Sequence, residues 1–259
     1  MKKLFKILLV IPALYLIAVP AWLAGVTSSR PCRGIEVSIA DSSEYNFVTV
    51  NEIMNIINGS SPGRLLGKPV GDISRSEVEE KVKGLKELRV AEVYLSIDGT
   101  LYIYADQRKP IMRVAARNGN DYYIDDEGFV IRRRNLNSPR LHIVSGNVNI
   151  TPEMLGGVSI LDTSIRKTIL SDVYHIVNHI RRDPFWSAQI DQIYINGNNE
   201  IDLIPRVGNH IIRIGPPDDF SEKLSSLQAF YRNVMPEVGW NKYSVINLKY
   251  KGQVVCKRR

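Results

Sequence analysis

Residues 93–103, Val-Tyr-Leu-Ser-Ile-Asp-Gly-Thr-Leu-Tyr-Ile, predict a β-hairpin. Alternating apolar residues flank Asp98-Gly99: Val93, Leu95 and Ile97 before it, and Leu101 and Ile103 after it. A period of two is typical of strands, and Asp-Gly between two such runs is a strong signal for a two-residue turn. The hairpin supplies two strands to a unit whose other elements precede it.

Two sequence patterns before the hairpin predict helices. The patterns Thr49-Val50-Asn51-Glu52 and Ser74-Arg75-Ser76-Glu77 are capping boxes, in which a hydroxyl residue and a glutamate cap each other. Apolar residues then recur on one helical face: Ile53, Met54 and Ile57 in the first helix, and Val78, Val82 and Leu85 in the second. Alternation at Ile35, Val37 and Ile39 predicts an earlier strand. Residues 33–106 thus form a predicted strand-helix-helix-strand-strand domain.

The remaining residues, 109–259, predict a second domain with a mixed sheet and packed helices, so the fold class is α+β. Predicted strands cover Tyr122–Ile124, Phe129–Ile131, Ile190–Ile195, Ile201–Arg206, Ile211–Ile214, Tyr243–Tyr250 and Gln253–Lys257. Helices are predicted from about Thr163 or Ser164 to Asp183-Pro184, and from Asp219 to Val234.

The N-terminus predicts a single membrane-spanning helix. Lys2, Lys3 and Lys6 precede Ile7–Val26, twenty residues without a charge, which span about 30 Å as a helix. Basic residues before the helix favour a cytoplasmic tip, residues 1–6, and an extracytoplasmic body. Trp22 is expected near the outer interface. A cleaved signal peptide is the alternative, but the run exceeds the usual apolar core of about 7–15 residues and no clean cleavage site follows it.

Composition excludes few function classes. The net charge is +7, but the N-terminal tip supplies three of the 34 basic residues and the remainder is only mildly basic. This bias suits an anionic membrane surface or an acidic partner, and makes no case for nucleic acid. Cys32 and Cys256 lie at opposite ends of the body, so either a disulfide or two unpaired thiols is possible in an oxidising compartment.

Two clusters were considered for catalysis or metal binding. Asp125, Asp126 and Glu127 could hold a cation or act as paired carboxylates, but they stand beside a glycine on a predicted turn. His175 and His179 have the spacing of zinc ligands, yet Ile176 stands where the zincin pattern needs glutamate. No nucleophile elbow or phosphate-binding loop is present. We therefore expect no catalytic, cofactor or metal site.

The C-terminus predicts a partner-binding surface. Few residues follow the final strand, Gln253–Lys257, to cover a sheet edge. An open edge presents unpaired amides and carbonyls that an incoming strand can pair with. The alternatives are an interior strand, or an edge guarded by Lys257, Arg258 and Arg259.

The order of these elements resembles a membrane-anchored POTRA domain followed by the β domain of the FtsQ/DivIB cell-division family. Three segments carry the resemblance: Tyr104–Pro110 at the domain junction, Tyr122–Gly128 in the next hairpin, and Ile246–Val255 at the C-terminus. The cytoplasmic tip is very short, and residues 135–162 are longer than the family pattern suggests.

The resemblance implies a non-enzymatic, single-pass scaffold of the bacterial divisome in the cytoplasmic (inner) membrane at the division site. Its extracytoplasmic, or periplasmic, domains would bind FtsB- and FtsL-like coiled-coil proteins and control septum formation through septal cell-wall synthesis, while the POTRA domain would contact other division proteins. A strand of FtsB would add at the C-terminal edge. The residues implied in partner binding are Tyr243, Leu248, Tyr250, Gln253, Val254, Val255 and Lys257.

Two other functions compete with this one. A POTRA-containing component of envelope protein assembly or secretion usually carries several POTRA units or a barrel, and this chain has one unit. A membrane-anchored envelope hydrolase would need a pocket of convergent polar groups.

Overall fold

The computed structural model describes residues 15, 16, 18, 19, 28–42, 46–59, 65–96, 98–132 and 139–259. The chain separates into two compact units at the Gln107–Arg108 bond. Most of the predicted membrane span Ile7–Val26, including Ile7, Trp22 and Val26, lies outside the described residues. Among the residues described, no helix has the length and apolar character needed to cross a bilayer.

The first unit has the predicted order strand-helix-helix-strand-strand. Its elements are β1 (Gly34–Ile39), α1 (Val50–Asn58), α2 (Arg75–Lys83), β2 (Leu88–Leu95) and β3 (Thr100–Gln107), with a 3-10 turn at Val70–Asp72. β3 is the middle strand of the sheet, parallel to β1 and antiparallel to β2. The apolar faces predicted for the helices are buried through Ile53 and Ile57 in α1 and through Val78 and Val82 in α2.

The β2–β3 turn is longer than predicted. Leu95 pairs with Leu101, and the Ser96 N–H donates to the Thr100 carbonyl at 2.9 Å, so residues 96–99 rather than Asp98 and Gly99 alone connect the strands. Ile97 lies outside the described residues. Gly99 has φ +93°, and a Cβ there would lie 2.8 Å from the Pro31 carbonyl oxygen. Glycine therefore permits both the turn and the close approach of the chain before β1.

One buried glutamine ties the end of β3 to the segment between β1 and α1. Gln107 is fully buried, and its Oε1 accepts the N–H groups of Phe47 at 2.9 Å and Val48 at 3.2 Å. Its Nε2 donates to the Ala40 carbonyl at 3.2 Å. A single side chain thus satisfies three backbone groups in the connection between β1 and α1, which would be costly to bury unpaired.

The second unit is built on one nine-stranded mixed sheet. Its strands are β4 (Pro110–Ala115), β5 (Asp121–Asp125), β6 (Val130–Arg132), β7 (His142–Gly146), β8 (Ile190–Ile195), β9 (Ile201–Pro205), β10 (Ile211–Gly215), β11 (Tyr243–Asn247) and β12 (Val255–Arg258). The spatial order is β12-β11-β10-β9-β8-β7-β4-β5-β6. The β4–β7, β7–β8 and β10–β11 pairs are parallel, and the other pairs are antiparallel.

Five helices accompany this sheet: α3 (Pro152–Leu155), α4 (Ile169–Arg182), α5 (Pro184–Gln189), α6 (Phe220–Asn233) and α7 (Met235–Val238). α4 begins later than predicted, at Ile169. Asp183-Pro184 ends α4 as expected but also starts α5, because the Asp183 carboxylate accepts the N–H groups of Phe185 and Trp186 at 2.8 and 3.2 Å. The sequence patterns did not predict β4, β7, α3, α5 or α7.

The core of this unit lies between one face of the sheet and the helices. A row across five neighbouring strands is fully buried: Val144, Ile193, Leu203, Ile212 and Ile246. Helix side chains such as Leu170, Val173 and Leu227 belong to the same apolar cluster. Both cysteines are free thiols, with Cys32 buried and Cys256 half-buried.

Replacing Gln107 with Met should destabilise the first unit by about 1–3 kcal/mol, because it leaves the buried Phe47 and Val48 amides without an acceptor. The change in the free energy of unfolding is measured by urea titration, with a signal that reports on this unit. Glu80→Met on the exposed face of α2 is the control, expected within about 0.5 kcal/mol of the original chain. Equal effects of the two substitutions would contradict the role given to Gln107.

Candidate functional site

The C-terminal strand β12 forms one edge of the nine-stranded sheet. It pairs antiparallel with β11, with Val245 opposite Lys257 and Asn247 opposite Val255. No other described strand pairs with it. The alternative that the final strand lies in the interior of the sheet is therefore wrong.

The hydrogen bonds that remain available on β12 follow from its alternation. The Arg259 N–H donates to the Lys242 carbonyl at 3.2 Å, which continues the pairing beyond the end of β12. In an antiparallel ladder, backbone groups of successive residues point to opposite sides. Residues 255, 257 and 259 therefore face β11, whereas the backbone N–H and C=O groups of Cys256 and the N–H of Arg258 point to the open side. The Arg258 carbonyl accepts the Ser244 hydroxyl of β11 at 3.4 Å.

The predicted strand boundaries near this edge are wrong. β12 begins at Val255 rather than Gln253, and β11 ends at Asn247 rather than Tyr250. The reason lies in residues 248–254: Leu248 turns into the core with 2 % exposure, and the Gln253 N–H donates to the Tyr250 carbonyl to close a turn.

The seven residues expected to bind a partner have different environments. Tyr250 and Val255 are exposed, at 57 % and 45 %, and so are Gln253 and Lys257. Tyr243 packs against Phe230 with ring centroids 6.0 Å apart, and Val254 is half-buried against the core. Leu248 was expected at the binding surface but is a core residue, so its side chain is not available to a partner.

A cavity of about 240 Å³ adjoins the turn that leads into β12. Its walls are the turn residues Tyr250–Gln253 on one side and the start of α6, with Asp219 and Glu222, on the other. Lys251 bridges them, with its Nζ 3.8 Å from both carboxylates. These pairs are solvent-exposed and therefore weak, so an incoming side chain could displace them at little cost.

Cys256 extends its side chain toward the core while its backbone faces the edge. Burial raises the pKa of the Cys256 thiol, which disfavours the reactive thiolate. This residue is therefore suited to a packing role. The strand around it carries the exposed cations Lys257 and Arg258, so the edge has a positive potential.

The acidic trio is a turn, but one of its members is buried. Asp125 is 1 % exposed, and its Oδ2 accepts a hydrogen bond from Arg108 at 2.7 Å, while Glu127 lies 3.1 Å from the same guanidinium. The Asp125 Oδ1 accepts the N–H groups of Glu127 and Phe129, and Arg108 lies over the Phe129 ring at 3.9 Å. The trio therefore holds the β5–β6 hairpin to the segment that begins β4.

Burial raises the pKa of the Asp125 carboxyl, and the hydrogen bonds from Arg108 and Phe129 oppose that shift. The sequence missed this pair because Arg108 is seventeen residues from Asp125 and no short motif joins them.

The two spaced histidines do not converge on a third ligand among the described residues. His175 is exposed, with its ring edge-on to Tyr174 at 5.6 Å. The His179 ring packs edge-on against Phe220 at 5.2 Å. Their neighbours are aromatic packing partners.

Comparison with known families identifies both units. A family model described as "FtsQ/DivIB, C-terminal related" matches residues 109–257, which is more than half of the chain. A model for a POTRA-like domain matches residues 30–105. No curated protein matches the chain.

Arg108→Met should destabilise the second unit by about 3 kcal/mol near neutral pH, because it leaves the buried Asp125 carboxylate without its cation. The loss should shrink as the pH falls through the raised pKa of Asp125, since protonation removes the buried charge. Urea unfolding at several pH values measures both effects.

The matched control is Arg206→Met, which breaks an exposed pair with Asp191 and should cost less than about 1 kcal/mol. A loss at Arg108 that did not vary with pH would argue against a buried carboxylate as its cause.

Proposed function

This chain belongs to the FtsQ/DivIB family, and from that premise we propose that it is a bitopic membrane scaffold of the bacterial division machinery. The family is one of non-enzymatic division scaffolds. In our proposal, the segment Ile7–Val26 anchors the chain in the cytoplasmic membrane and both described units are extracytoplasmic. The second unit binds FtsB- and FtsL-like coiled-coil proteins and thereby controls septal cell-wall synthesis.

The observation that carries the proposal is the open side of β12. A partner strand laid along it would pair with the outward backbone groups of Cys256 and Arg258, so main-chain hydrogen bonds would provide affinity without requiring a particular sequence. Since β12 has four residues, the added ladder is short, and side-chain contacts must contribute the rest of the binding energy.

Side chains next to the edge supply register and specificity. Tyr250 stands exposed beside the cavity at the start of α6, and an aromatic anchor of this kind is typical of binding hot spots. Lys257 and Arg258 favour a partner strand with acidic flanks, which speeds encounter and fixes orientation.

The POTRA-like unit provides a second surface. We propose that it binds other division proteins, independently of β12. Its three-stranded sheet has two edge strands, β1 and β2, that can accept an added strand by the same chemistry.

Cys256→Pro tests the strand-addition proposal. Proline removes the outward N–H of residue 256 and leaves the hydrogen bonds to β11 in place, so the partner should bind about tenfold or more weakly. Binding of the full chain to the FtsB- and FtsL-like proteins of the same cell is measured by titration in detergent solution.

Cys256→Ala is the matched control, because it removes the same thiol and keeps the N–H; it should bind as the original chain does. Lys257→Pro should lose both binding and stability, since its N–H faces β11. If Cys256→Pro does not fold, Arg258→Pro makes the same test at the other outward amide. Folded proline variants with unaltered affinity would overturn strand addition at this edge.

Tyr250→Ala and Leu248→Ala should separate binding from folding. Tyr250 is exposed, so its loss should weaken partner binding by about tenfold with a stability change below about 0.5 kcal/mol. Leu248 is buried, so its truncation should cost about 2–5 kcal/mol of stability. Partner titration and urea unfolding of both variants check this, and normal binding by Tyr250→Ala would remove Tyr250 from the site.

A further inference from the structure

A second concave site lies in the second unit, where β7 and β8 begin and β9 ends. Its volume is about 620 Å³. Six polar side chains line it: Arg140, His142, Arg181, Ser187, Asp191 and Arg206. Since none of these residues belongs to β11, β12 or the turn between them, the site is separate from the proposed strand-binding edge.

The three arginines reach this cavity from different parts of the fold. Arg140 precedes β7, Arg181 lies in the last turn of α4, and Arg206 follows β9. The Arg206 N–H donates to the Gln189 carbonyl at 2.7 Å, which fixes its backbone. Sheet register sets two more of the polar groups: because Ile143 pairs with Gln192, His142 stands beside Asp191. The fold itself brings these groups together.

The charge of the cavity is unbalanced. Asp191 accepts a hydrogen bond from Arg206 at 3.0 Å. Within the described part of the chain, neither Arg140 nor Arg181 forms an ion pair with a carboxylate. The cavity lining therefore holds three guanidinium groups but one carboxylate, which leaves two positive charges facing the same space when His142 is neutral.

The pKa of His142 depends on the electrostatic potential inside the cavity. Its side chain is only 8 % exposed, and burial is the main cause that lowers the pKa of its imidazole. Arg206 and Arg181 lower that pKa further, whereas a backbone hydrogen bond at Ile190 and the Asp191 carboxylate raise it. His142, Arg181 and Arg206 line the same cavity, so an anion bound there would shift the pKa of the imidazole in the opposite sense to the two guanidinium groups.

We propose that this cavity binds a phosphate-type oxyanion, either free in solution or as the headgroup of an anionic lipid. Guanidinium groups present planar pairs of N–H donors that match phosphate oxygens. Donors on three separate arginines exceed what the two oxygens of one carboxylate can accept, whereas a phosphate offers more oxygens and up to two charges. Ser187 adds a hydroxyl to the same wall.

The test follows the imidazole of His142 by NMR in the full chain labelled at histidine, with assignment by a His142→Gln variant. The chain is reconstituted in phosphatidylcholine bilayers, and inorganic phosphate or pyrophosphate is added. Binding should raise the pKa of His142, because a nearby negative charge favours the imidazolium. A second sample in phosphatidylglycerol bilayers, without added phosphate, reports on a lipid headgroup.

A raised pKa only in phosphatidylglycerol identifies the lipid as the source, and one only with added phosphate identifies a soluble ligand. The double variant Arg140→Gln, Arg181→Gln should weaken either response about tenfold or more. Arg166→Gln, Arg232→Gln removes the same charge at two exposed arginines outside the cavity and should have no effect on it. An unchanged His142 in both samples, or equal losses from the two double variants, would overturn the proposal.

Discussion

The partner binding proposed for the second unit depends on one edge strand, β12, that is hydrogen-bonded along one side only. β12 is attached through β11, and the N–H and C=O of Cys256 and the N–H of Arg258 remain directed away from the sheet. An unpaired edge is a liability in a soluble protein, since it invites association with any extended chain. The short length of β12 and its cations Lys257 and Arg258 limit that liability, and the same cations can select a partner.

The strand can stay in place because its neighbours are firmly packed. β11 lies parallel to β10, so the chain must cross from one end of the sheet to the other between them, and α6 and α7 make that crossing. Ile246 and Leu248 bury their side chains on the helix-covered side, and Cys256 packs beneath β12 on the same core. Arg259 adds a final hydrogen bond to the Asn209 carbonyl at 2.6 Å. The edge is therefore presented in a fixed conformation, which lowers the entropy cost of binding.

The order of the first unit was predictable because its signals are local. Thr49 and Glu52 cap α1 reciprocally, as the sequence indicated, and Ser74 accepts the Glu77 N–H at the start of α2. The same approach failed for β4, whose run Pro110–Ala115 is mostly buried and does not alternate, and for β7, which pairs with β4 and β8, both distant in sequence. Sequence patterns also did not predict the hydrogen bonds of Gln107 or the Arg108–Asp125 pair, because each joins groups that are far apart in the chain.

The two C-terminal strands were predicted, but their ends were not. The run of β-branched and aromatic residues near the C-terminus indicated strands, but the alternation of Tyr243–Tyr250 gave no sign that Leu248 leaves the strand to enter the core. The arginine-lined cavity had no sequence signature, since Arg140, Arg181 and Arg206 meet only through sheet register and the end of α4.

Amide hydrogen exchange at the C-terminus, measured with and without the FtsB- and FtsL-like partners, tests the central claim most directly. If a partner strand pairs with the open side of β12, the amides of Cys256 and Arg258 should become protected in the complex, while those of Val255 and Lys257 are protected in both states. Unchanged exchange at Cys256 and Arg258 in a saturated complex would contradict the account.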